Sequence, residues 1–240
     1  MKILALECSA VTASAAVLDD GRLLSEGFLN AGLTHSQTLM PLCSNALKLS
    51  GTDMGDIDVI AVSNGPGSFT GIRIGVAAAK GLGFAEDIKC VGVSTLDAIA
   101  HNFTEDAIVC AVMDARRNQF YNALFRIENG AITRLCEDRA VAAADLFSEL
   151  CCCGEKIIIA GDGAGLCVRL IEKNGFSGKF NYVIAPENLR YQRGYSVGAA
   201  AVDFIKNGGQ PIPPELLVPT YLRPSQAERE LSLKKKKTAV

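Results

Sequence analysis

The sequence has no tryptophan, two histidines (His35 and His101), and no apolar run near the roughly eighteen residues that a membrane-crossing helix needs. It also has no Cys-x-x-Cys pair, so with two histidines a zinc site is poorly supplied. The nine cysteines are an odd number, and Cys151-Cys152-Cys153 cannot all pair with near neighbours; reduced thiols in a reducing compartment are expected. Met1 to Leu6 is too short for a secretory apolar region and runs into Glu7, so the chain is expected in the cytosol. A net charge of −2 argues against nonspecific nucleic-acid binding by the body of the protein. Lys234 to Lys237 is the local exception, read as part of a charged flexible tail over residues 226–240 rather than as an RNA contact.

What is present in abundance is glycine, concentrated in Ser63-Asn64-Gly65-Pro66-Gly67-Ser68-Phe69-Thr70-Gly71-Ile72-Arg73-Ile74-Gly75 and on to Gly83. The stretch reads as the end of a strand, a glycine turn and a helix capped by Ser68. Gly71, Gly75, Gly81 and Gly83 in a helix give away about 3–4 kcal/mol relative to alanine, so something must offset them. Gly71, Gly75, Ala79 and Gly83 recur every four positions and form a small-residue ridge that lets another backbone approach, either inside the domain or from a partner chain. A phosphate cradle does not fit. A Walker loop counted from Gly65 would need glycine at position 70 and lysine at 71, where the chain has Thr70 and Gly71, and the dinucleotide fingerprint also fails at Thr70.

Along the chain, apolar runs at Ile3–Leu6, Ala13–Leu18 and Leu23–Leu29 predict a three-stranded meander, followed by an amphipathic helix opening at Thr34 and closed by Gly51. Strands at Ile57–Ser63 and Ile88–Val93 flank the glycine helix, and Ser94 caps a helix through about Phe103. The order then repeats: Ile108–Met113, Phe120–Ile127 and Ala131–Leu135, a helix near Ala142–Cys152, a strand at Lys156–Ala160, a helix through Lys173, a strand at Tyr182–Ala185 and a helix at Ser196–Lys206. Two βββαβαβα units, with Glu7 and Asp114 at matching strand ends, predict an α/β, two-lobed fold of the actin, sugar-kinase and Hsp70 class. The first lobe is expected to comprise residues 1–103 plus about 192–225, and the second 104–191. In that class the cleft between lobes holds ATP, which makes Glu7, Ser9, Asp114, Gly161, Asp162 and Gly163 the candidate nucleotide-facing residues. The first turn lacks the Asp-x-Gly-Thr pattern, so turnover of ATP is not expected, while weak ATP or ADP binding is left open.

The eleven residues Gly65 to Gly75, together with His35-Ser36-Gln37-Thr38-Leu39-Met40-Pro41 and Pro219-Thr220-Tyr221-Leu222-Arg223, resemble the bacterial TsaB (YeaZ) family over essentially the whole chain. The resemblance implies a cytoplasmic, non-catalytic partner of a TsaD-like subunit in forming threonylcarbamoyladenosine at adenosine 37 of tRNA. A TsaE-like ATPase and tRNA are then expected to engage through the complex; if the small-residue ridge is exposed it should self-associate, so a two-fold homodimer is expected when the chain is alone. TsaD-like proteins place a His-x-x-x-His metal pair where this chain has Thr95 and Ile99, so no catalytic residue, metal or required cofactor is expected. The partner interface is expected on Leu39, Leu42, Leu47, Gly71, Ile72, Gly75, Val76 and Ala79. The rival readings are a stand-alone ATP-dependent kinase or transferase, and a metallopeptidase of the glycoprotease kind.

Overall fold

The computed structural model describes residues 1–223; the predicted tail at 226–240 lies outside the described residues. The first half runs β1 (Lys2–Glu7), β2 (Ala13–Asp19), β3 (Arg22–Leu29), α1 (His35–Ser50), β4 (Val59–Gly65), α2 (Phe69–Glu86), β5 (Lys89–Ser94) and α3 (Thr95–Ala100). The second runs β6 (Ala107–Asp114), β7 (Gln119–Glu128), β8 (Ala131–Arg134), β9 (Arg139–Ala142), α4 (Ala143–Leu150), β10 (Ile157–Ala160), α5 (Ala164–Lys173), β11 (Tyr182–Ile184), α6 (Glu187–Arg190) and α7 (Gly194–Lys206). The sheets are ordered β3-β2-β1-β4-β5 and β8-β7-β6-β10-β11, with the meander strands antiparallel and the other pairs parallel. The same order and the same strand directions in both halves establish the duplication and the two-lobed actin-like fold.

Three elements depart from expectation. β9 is an additional strand that pairs with β7 beyond the end of β8; its sequence Arg-Ala-Val-Ala is too short and too mixed to show a strand period. The four-residue α6 is also additional, and α3 stops at Ala100, with His101 at its C-terminal cap, rather than reaching Phe103.

The apolar runs in β1 and β6 lack polar alternation because both faces of each sheet are covered. From β1, Leu4 and Leu6 face α1 and α2, whereas Ile3 and Ala5 face α7. From β6, Ile108, Cys110 and Val112 face α4 and α5, whereas Val109, Ala111 and Met113 face Leu96 and Ile99 of α3. Helix α7, from the end of the chain, therefore packs on the first sheet. Its start is fixed by Glu26 of β3, which accepts from the Tyr195 amide at 3.0 Å and pairs with Arg193.

Candidate functional site

A cleft of about 490 Å³ lies between the lobes, walled by Ser9 to Val11, Gly67 to Phe69, Met113 to Arg116, Tyr121 and Asp162. Of the residues expected to face a nucleotide, Ser9, Asp114 and Asp162 line it. Glu7 does not: it is fully buried and accepts from the Ser9 amide and hydroxyl, both at 2.6 Å, and from the Ser63 hydroxyl. Burial holds its carboxyl above the ordinary range, against the pull of those donors. Glu7 thus shapes the turn after β1 rather than meeting a ligand. Gly161 and Gly163 are also structural. A Cβ on Gly161 would lie 2.1 Å from the Val112 carbonyl oxygen, and one on Gly163 3.0 Å from the same oxygen.

Asp162 is the titratable wall residue with a displaced pKa. Burial raises it to about 6, opposed by the hydrogen bond from Gln192 Nε2 and reinforced by the charge of Asp114. Between about pH 4 and 6 the native state holds a proton that the unfolded chain has released, so stability falls as pH rises through that window, and the full loss is present above it. Asp162→Asn keeps an acceptor for Gln192. It is expected to raise stability at about pH 7.5 by about 1–3 kcal/mol and to flatten the decline below pH 6. Urea titrations at a series of pH values check this; an unchanged midpoint at neutral pH would refute it.

Thr95 and Ile99 are both fully buried in the first turn and a half of α3. His35 reaches the Ala10 carbonyl oxygen through Nε2 at 2.7 Å, and His101 sits between Asp97 and Asp203. Among the described residues, no group of three or more His, Cys, Asp or Glu side chains is placed to hold a metal ion. Among the same residues, no helix is long and apolar enough to cross a membrane.

The expected partner interface needs correction. Gly71, Ile72, Gly75, Val76 and Ala79 are buried against the first sheet, as are Leu39 and Leu42, while Leu47 is half-buried against the same core. The reason is steric: the ridge fits β1 and the turn after it, where a Cβ on Gly71 would lie 2.1 Å from the Cys8 carbonyl oxygen. One on Gly75 would meet Cys8 Sγ at 3.1 Å and Val62 Cγ2 at 3.2 Å. The glycine ridge is internal packing. The outward face of α2 carries a second four-residue series, Arg73, Ala77, Gly81 and Ala85, all exposed, beside Phe84 at 61% exposure. A Cβ on Gly81 would have no described neighbour within 4 Å. Helix α1 lies alongside and exposes Met40 and Leu49. Periodicity alone did not separate the two series, because Ala77, Gly81 and Ala85 repeat the spacing and the small size of Gly75, Ala79 and Gly83.

A strap, Thr220 to Arg223, runs from one lobe to the other beside the cleft walls. Thr220 donates from its amide to Asn64 O at 2.7 Å, the Tyr221 ring stacks on Phe69 at 4.5 Å, and Arg73 Nε donates to Tyr221 Oη at 2.8 Å. Arg223 then reaches the second lobe and donates to the Ala115 carbonyl oxygen at 2.6 Å. These are the residues of the late Pro219 to Arg223 motif, whose spacing gave no indication that it joins the two lobes.

Comparison with known proteins agrees with this architecture. The family profile of TsaD, tRNA N6-adenosine threonylcarbamoyltransferase, matches residues 30–166. The tRNA threonylcarbamoyladenosine biosynthesis protein TsaB of Bacillus subtilis is 30% identical over 229 residues, covering 95% of this chain and 96% of that protein. The Escherichia coli protein of the same name is 33% identical over 152 residues, covering 62% of this chain and 65% of its own length. Among solved structures, a Pseudomonas aeruginosa protein described as similar to the peptidase YEAZ superposes with a TM-score of 0.73 at 25% identity, over 92% of this chain and 99% of that one. A full-length match at this identity, on a duplicated fold whose specific glycine motif is used to seat α2 on β1, shows that the chain belongs to the TsaB (YeaZ) family of tRNA threonylcarbamoyladenosine biosynthesis proteins.

Proposed function

We propose that this chain is a non-catalytic subunit of the cytoplasmic machinery that forms threonylcarbamoyladenosine in tRNA, and that it binds a TsaD-like catalytic subunit through the outward faces of α1 and α2. The observation that carries the docking surface is Gly81. Its three helical companions, Gly71, Gly75 and Gly83, each meet atoms of their own lobe within 3.2 Å of a Cβ position, whereas Gly81 meets none. An exposed helical glycine gives away about 1 kcal/mol with no return inside the monomer. Close approach by a partner helix along Ala77, Gly81 and Ala85 supplies that return, with Phe84 and Met40 as apolar contacts on either side. The same face serves a homodimer when the catalytic subunit is absent, and a TsaE-like ATPase and tRNA join through the complex. The non-catalytic role is supported by Thr95 and Ile99, which offer no imidazole to a metal, and by Glu7, whose carboxylate is enclosed by Ser9 and Ser63.

The chain is expected to co-purify with a TsaD-like protein from the same cell. Alone it should form no threonylcarbamoyladenosine; mixed with that protein it should raise product formation at least tenfold. Product from the isolated chain, or failure to retain the TsaD-like protein, would refute the reading.

A further inference from the structure

At the mouth of the cleft, one turn of chain is held in a costly conformation. Arg116, Arg117 and Asn118, between β6 and β7, have φ of 64°, 58° and 54°. For the two arginines this left-handed geometry is strained, whereas asparagine adopts it more readily. The β2–β3 and β7–β8 turns meet the same need cheaply, with Asp20-Gly21 and Asn129-Gly130, and the β1–β2 turn has no residue of positive φ. Reversing the chain therefore does not require arginine here. The turn is also locked: the Arg116 amide donates to Asp114 Oδ1 at 2.7 Å, the Gln119 amide to Arg116 O at 3.2 Å, and the Ala143 amide to Asn118 O at 3.0 Å. Strain of this kind points to a use for the residues that bear it.

Two further arginines contact residues of the cleft wall or the strap beside it. Arg73 lies 5.7 Å from the ring centroid of Phe69, a cleft wall residue, and is oriented by Tyr221. Arg223 is fixed on the carbonyl of Ala115, another wall residue. Arg116 pairs with Asp114 at 3.3 Å; the other three form no ion pair among the described residues. On a chain of net charge −2, three exposed or half-exposed guanidinium groups without an ion pair among the described residues thus lie next to cleft wall residues, which also include Asp114 and Asp162. Arginine is suited to phosphate because its planar fork can donate two hydrogen bonds to one phosphate group.

We propose that Arg73, Arg117 and Arg223 form a contact surface for the phosphate backbone of RNA, through which this subunit touches tRNA directly. This rests on the reading that the chain serves tRNA modification. The residues contact phosphate and sugar rather than bases, so they add affinity and fix orientation without reading sequence.

The test uses the full chain and an unmodified tRNA transcript, with binding measured across a series of salt concentrations. Arg117→Gln and Arg73→Gln are each expected to weaken binding about tenfold at low salt and to reduce the slope of log affinity against log salt by about one. Tyr221→Phe, which loses the contact orienting Arg73 and keeps its charge, should have a smaller effect. Unchanged binding in both arginine variants overturns the proposal. So does loss of binding when Lys234 to Lys237 are all changed to Gln while the arginine variants bind normally, because the tail is then the contact. An arginine-dependent site for ADP with no arginine-dependent RNA binding also overturns it, since the phosphate recognised is then that of a free nucleotide. Capture of the TsaD-like protein by the same variants is measured in parallel. Arg117→Gln should retain it, so loss of RNA binding alone is distinguished from failure of the subunit reading, which shows as no capture by the unaltered chain.

Discussion

Gly71→Ala is expected to prevent folding. The added methyl carbon would sit 2.1 Å from the carbonyl oxygen of Cys8, and that oxygen belongs to the backbone directly after β1, which has parallel β4 on one side and β2 on the other. No side chain can rotate away to relieve the overlap. Helix α2 would have to lift from the sheet, and the buried residues Ile72, Val76 and Ala79 would lose their packing with it. Overpacking in a core costs about 1–3 kcal/mol where neighbours yield, and more where they are backbone; the whole chain has a stability on the order of 5–15 kcal/mol. Gly75→Arg places a long cation between Cys8 and Val62 and should fail in the same way. Soluble yield and the urea midpoint measure both. A wild-type midpoint for Gly71→Ala would show that α2 does not lie against the turn after β1. Gly81→Ala provides the contrast: with open space around its Cβ, it should raise stability by up to about 1 kcal/mol.

The duplicated topology was legible because it depends on the order of apolar runs and turn residues, which the chain states twice. Asp20-Gly21 and Asn129-Gly130 mark corresponding hairpins, and Ser68 and Ser94 mark two helix starts whose cap bonds form, to the amides of Gly71 and Asp97. The direction in which α2 faces was not legible. Residues 75, 79 and 83 and residues 77, 81 and 85 have the same spacing and nearly the same size, and the difference is set by contacts with Cys8 and Val62, which are distant in sequence. The left-handed run at Arg116 to Asn118 was also invisible, since arginine carries no turn preference of the kind that glycine and asparagine do. Likewise, the strap is held by Asn64, Phe69 and Ala115, from 108 to 156 residues away in sequence, and no local pattern encodes such contacts.

Gly81→Arg is expected to abolish capture of the TsaD-like subunit while leaving the fold intact, the opposite outcome to Gly75→Arg six residues earlier in the same helix. Gly81 is exposed, and a side chain there meets no described atom of its own lobe, so arginine extends into solvent in the free chain. In the complex, the same side chain would stand where a partner backbone approaches Ala77, Gly81 and Ala85. Either the helices separate by several ångströms or the guanidinium is buried without a carboxylate; each costs several kcal/mol. A loss of about 3 kcal/mol weakens affinity roughly a hundredfold. Titration calorimetry with the purified TsaD-like protein measures it, and the urea midpoint checks that the variant folds. A homodimer of the isolated chain should dissociate in parallel if, as proposed, one surface serves both associations. If Gly81→Arg folds and binds with unaltered affinity, the outward face of α2 is not the docking surface, and the glycine at 81 has no explanation in the packing of this chain or its partner.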